Sequence, residues 1–107
     1  MPEEATQIEA MCHVYFGKQN DRERGEFDVP VSILSQIAEK PNLQEGDEDL
    51  VLQAVAFRAA ELELAETGDD VSVHQLAEGI LNDELRNYVV DFREHNIIVR
   101  PSATLGL

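Results

Sequence analysis

Residues 47–67 read DEDLVLQAVAFRAAELELAET, and this run limits the chain more than any other. Its residues are strong helix formers. Leu50, Val51, Ala54, Val55, Phe57, Leu62 and Ala65 cover more than one narrow stripe of such a helix. A helix that is apolar on several sides has to be packed from several sides. The spacing predicts a central helix from about Asp47 to Thr67, with other elements around it. Gly68 closes it in a left-handed cap.

The rest of the chain is read as wrapping that helix. The 107 residues suit one domain spanning residues 1–107. A first helix is expected from Glu4 to Phe16, because Ile8, Met11, Cys12 and Tyr15 recur at three and four. Gly17 would stop it. The polar stretch KQNDRERGEFD, from Lys18 to Asp28, reads as one helical turn capped by Asn20, or as a loop. Pro30 suits the start of a second helix, which would bury Val31, Leu34, Ile37 and Ala38. Lys40 would favour its C-terminal end, and Pro41 would end it.

After the central helix, Ser72 and Gln75 form an S-x-x-Q capping box, with Val71 and Leu76 placed as a hydrophobic staple. The next helix would bury Leu76, Ala77, Ile80 and Leu81. Asn82 would cap a further one from Asp83 to about Glu94, burying Leu85, Tyr88, Val89 and Phe92. Asn96 suits a left-handed turn, Ile97 to Val99 a short strand or extended tail, and Arg100 to Leu107 a frayed end. The expected class is all-α: a compact bundle of four to five helices around the central one, with room for one short C-terminal strand.

Charge then narrows the functional classes. There are 22 Asp and Glu against 8 Lys and Arg, a formal net charge of -14. Such a surface repels nucleic acid and anionic membranes and attracts basic partners. Cys12 is the only cysteine, so no internal disulfide forms and a reducing, cytoplasmic setting fits. The opening Met1-Pro2-Glu3-Glu4 does not read as a signal peptide. No apolar run approaches the ~18–20 residues that span a bilayer.

Catalytic and cofactor signals are lacking, and neither an enzyme nor a cofactor is expected. No P-loop, dinucleotide fingerprint, metalloprotease motif or nucleophile elbow occurs. The acidic loop before the central helix lacks the EF-hand spacing. His74 and Glu78, four apart, read as a surface pair before they read as a metal half-site. Cys12 and His13 would point apart on a helix, which leaves Cys12 as a small core residue.

Two constellations remain. The pair of helices from Ser72 to Glu94, followed by HNIIVR, resembles a winged helix-turn-helix. Its second helix would carry Asp83, Glu84, Asp91 and Glu94 against Arg86 and Arg93, the wrong balance for phosphate contact. The other constellation is acidic. Asp47, Glu48 and Asp49 mark one end of the central helix, with Glu45 close by. Glu66, Asp69 and Asp70 mark the other end, after Glu61 and Glu63. Acids at the first end suit the helix dipole, whereas acids at the second oppose it. Rows of carboxylates on a rigid body can imitate duplex phosphates, which occur at one charge per ~1.7 Å of axis. The partner-binding candidates are therefore Asp47, Glu48, Asp49, Glu66, Asp69 and Asp70.

The segments AMCHVYFGKQNDRERGEFDV and DEDLVLQAVAFRAAELELAETGDDVSVHQLAEGIL make up about half the chain. Together with the small size and acidity, they resemble anti-CRISPR proteins that phages and mobile elements carry against type I-F surveillance complexes. The resemblance implies a non-enzymatic inhibitor that binds the Cas–guide RNA complex through Lys/Arg surfaces. It would block target DNA binding or unwinding without binding nucleic acid itself. A transcriptional regulator and an acidic adaptor module are the competing classes.

Overall fold

A computed structural model of the chain describes residues 10–16, 18–19, 22–23, 26–94 and 96–102. The fold is mixed α/β, which corrects the all-α expectation. In chain order the elements are β1 (Met11–Tyr15), β2 (Lys18–Gln19), β3 (Arg22–Glu23), β4 (Glu26–Pro30), α1 (Val31–Ala38), α2 (Glu48–Thr67) and α3 (Val73–Gly79). A π-helical turn (Ile80–Glu84), β5 (Tyr88–Phe92) and β6 (Asn96–Pro101) follow.

Four strands form one sheet in the order β4-β1-β6-β5, and β2 pairs with β3 as a short separate ribbon. The central pair β1 and β6 is parallel, with Cys12 opposite Ile97 and Val14 opposite Val99. Each is flanked by an antiparallel neighbour: β4 beside β1 and β5 beside β6. Successive side chains of a strand face opposite ways. This register therefore puts Cys12, Val14, Phe27, Val29, Tyr88, Val90, Phe92, Ile97 and Val99 on one face. That face meets the helices. Cys12, Val14, Val29, Ile97 and Val99 are at most 4% exposed and share one core with Leu34, Val51, Val55 and Ile80. Phe16, Phe27 and Tyr88 meet at one end of it, with ring centroids 5.8 Å apart for Phe16–Phe27 and 5.9 Å for Phe16–Tyr88.

Two expected helices are strands. In the first, the described part, Met11–Tyr15, is β1, while residues 1–9 and Gly17 lie outside the described residues. The second, expected from Asp83 to Glu94, becomes the end of the π-helical turn and then β5. The physical reason is the same in both. Cys12 and Val14 alternate inward, and so do Tyr88, Val90 and Phe92, so pairing with β6 buries a full row of side chains. The β-branched and aromatic content of YVVDF suits that pleated surface. The stretch from Lys18 to Asp28 contributes strands, not a helical turn; Asn20 lies outside the described residues. Asn96 belongs to β6, without a positive φ. Arg100 and Pro101 continue that strand, and residues 103–107 lie outside the described part.

The central helix agrees with its sequence. α2 buries Val51, Ala54, Val55, Ala56, Ala59 and Ala60 and contacts α1, α3 and β5. The alanines let its neighbours approach closely on several sides. Gly68 ends it at φ 73, and its N–H donates to the Leu64 carbonyl at 2.8 Å. Ser72 caps α3, its hydroxyl accepting from the Gln75 N–H at 3.4 Å. Val71, expected to staple against Leu76, is 48% exposed.

Candidate protein-binding surface

The two acidic groups sit at opposite ends of α2. At 20 residues that helix is about 30 Å long, so no single contact patch of ordinary side-chain reach joins them. Their local environments also differ.

At the N-terminal end the carboxylates are largely engaged. Asp47 precedes the helix and accepts from Lys40 Nζ at 2.7 Å and from the Gln44 N–H at 2.9 Å. The Lys40 hydrogen bond, helped by the Gln44 N–H, holds its carboxyl below the ordinary range. Its side chain is only 11% exposed. Glu48 Oε2 accepts from the Gly46 N–H at 3.3 Å, with Gly46 at φ 104. These contacts close the loop between α1 and α2. Asp49 alone of the three is exposed.

At the C-terminal end the carboxylates are open. Glu66, Asp69 and Asp70 are exposed, and among the described residues no Lys or Arg pairs with them. Two large apolar side chains are exposed at the same end, Leu62 at 42% and Val71 at 48%. Acids placed against the negative end of a helix dipole weaken the helix, so helix stability does not account for Glu66.

Between the ends, α1, α2 and α3 enclose a groove of about 620 Å³. Its floor is apolar: Ile37, Leu50, Phe57 and Leu81, with several alanines. Glu39 and Glu78 stand at its margins, and no Lys or Arg lines it. His74 lies over Phe57 with ring centroids 5.2 Å apart. Among the described residues it shares no hydrogen bond with Glu78. No group of three or more His, Cys, Asp or Glu among the described residues could hold a metal ion.

The sheet face turned away from the helices carries several paired polar groups. His13 Nδ1 lies 2.8 Å from Asp28 Oδ1 across β1 and β4. Asp91 Oδ2 accepts from Arg100 at 3.1 Å and from Arg93 at 3.4 Å, and the Arg100 bond holds its carboxyl below the ordinary range. Cys12, next to His13 in sequence, points to the opposite face and is fully buried. Burial, with a smaller push from Asp28, raises its thiol to about 12. On opposite faces of β1, the Cys12 and His13 side chains do not meet. No helix among the described residues is long and apolar enough to cross a membrane.

No family model, curated protein or solved structure matches this chain.

Of the six acidic candidates, the fold leaves Asp49, Glu66, Asp69 and Asp70 free for a partner and commits Asp47, with Glu48 to a lesser degree, to loop closure. The helix pair expected to resemble a winged helix-turn-helix does not form, because β5 stands where its second helix would be. The groove escaped the sequence reading. Its signal was Leu50 and Phe57, seven apart on a helix that already buries Val51 and Val55 on another side.

Proposed function

We propose that this protein is a non-enzymatic inhibitor. Its α2–α3 end docks on a Lys/Arg-lined nucleic-acid surface of a type I-F Cas–guide RNA complex and blocks target DNA binding or unwinding. The observation that carries this reading is the set Glu66, Asp69 and Asp70. They are exposed, without a cation partner among the described residues, and placed where the helix dipole disfavours them. Exposed Leu62 and Val71 beside them supply the apolar contact that a protein interface needs at its centre. The net charge of -14 speeds encounter with a basic surface and opposes contact with DNA.

The test is a gel shift with labelled target DNA, in lanes holding this protein, a type I-F Cas–guide complex, or both. The expected result is loss of the complex's shift on adding the protein, with no shift by the protein alone. Substituting Asp69→Lys and Asp70→Lys should restore most of the shift, with a larger loss of inhibition at low salt than at high salt. If the complex shifts DNA equally with and without the protein, the inhibitor reading fails, and an acidic adaptor remains.

A further inference from the structure

The groove between the three helices carries an inference separate from the acidic end. Its floor is the side of α2 turned away from the sheet. Leu50 and Phe57 are seven residues apart, two helical turns, and so stand about 10.5 Å apart on nearly one bearing. That is also the spacing of i and i+7 anchors on an incoming helix. Ile37 of α1 and Leu81 of the π-helical turn flank this row.

Charge decides what lies in it. Glu39 and Glu78 stand at the margins, both are exposed, and no Lys or Arg lines the groove. A second copy of this chain would bring another net charge of -14 and the same two glutamates against them. An acidic or neutral partner would leave those carboxylates unanswered. Glu39 adds an argument from backbone geometry. It is the only non-glycine with positive φ among the described residues (φ 57), at the helix-ending position where glycine is usual. Glycine would suit that backbone better, yet the position carries a carboxylate at the groove's edge.

We infer that the groove receives an amphipathic helix of a partner protein, with apolar anchors on the Leu50–Phe57 row and Lys or Arg flanks facing Glu39 and Glu78.

Two fluorescein-labelled peptides of about 18 residues, five helical turns, test this with the full chain. Both contain the same leucines and lysines. One spaces its leucines at three and four, and the other scrambles them. Anisotropy titration should give at least about tenfold tighter binding of the first. Amide chemical-shift changes should centre on Leu50, Phe57 and Leu81. The double variant Glu39→Gly, Glu78→Gln should weaken that binding several-fold. It replaces a strained residue and an exposed one, so it should fold at least as well, which a thermal melt verifies. Gln53→Lys, an exposed groove residue, should weaken binding as well. Equal binding of the two peptides overturns the inference, as do shifts confined to Glu66–Val71, or a dimer whose interface covers Phe57. None of these outcomes depends on a Cas complex, so failure here leaves the proposed inhibitor function standing, and the reverse holds.

Discussion

At the scale of single residues, environment decides what each titratable group does. Cys12 is fully buried, with its thiol pushed up to about 12. A thiol reagent at about pH 8 should leave the folded protein unlabelled and react once urea unfolds it. Labelling of native protein at the rate of the unfolded chain would contradict the burial. Asp47 shows the opposite shift. Lys40 and the Gln44 N–H lower its folded value below the unfolded one. The stability it contributes is therefore complete above the ordinary carboxyl range and is lost as pH falls through the folded value. Asp47→Asn should lower the urea midpoint at neutral pH, and the gap from wild type should close in acid. A pH-independent gap would mean that Asp47 acts through packing and not through its charge.

At the scale of elements, two helix ends make a matched comparison. Both α1 and α2 finish in a left-handed residue, Glu39 at φ 57 and Gly68 at φ 73. A Cβ added at Gly68 meets nothing within 4 Å, so its cost is conformational alone. Gly68→Ala should destabilise by about 1 kcal/mol, and Glu39→Gly should stabilise by about 0.5–1 kcal/mol. Chemical denaturation of the two variants checks both signs. These caps also mark what the sequence made legible. α1, α2 and the start of α3 were readable because Pro30, Gly68 and Ser72 punctuate them. β1 and β5 were not, because Met11, Cys12 and Tyr15 satisfy helical spacing while Cys12 and Val14 satisfy strand alternation. Leu85, Tyr88, Val89 and Phe92 pose the same ambiguity against Tyr88, Val90 and Phe92. Over so few residues the two periods overlap, and partner strands far along the chain decide between them. The site was legible in part. Charge counting located both acidic clusters, but nothing local to Asp47 revealed that Lys40 would occupy it.

For the whole molecule, charge sets a background that no single pair removes. Much of the net charge of -14 is uncompensated, and at low ionic strength it opposes the compact state. Raising salt from about 10 mM to about 150 mM shortens the Debye length from ~30 Å to ~8 Å. The thermal midpoint should rise by a few degrees, about what 1 kcal/mol gives a chain of this size. A midpoint that falls with salt would show that the pairs Lys40–Asp47 and Arg100–Asp91 outweigh the repulsion. The same charge accounts for two proposed surfaces on one small body: an acidic end for a basic groove, and an acid-edged groove for a basic helix.

The parallel seam between β1 and β6 also governs how the molecule is made. Met11 pairs with Asn96, 85 residues later, so a ribosome releases one side of the seam long before the other. The nascent chain can join β4 to β1 and begin the three helices. The second flank of β1 and its half of the core stay open until β6 emerges. Closure of the sheet waits for β6, and a pairing of such sequence separation slows folding. A chain nicked in the loop at Asp69 should still hold together, since its two pieces meet along the middle of the sheet.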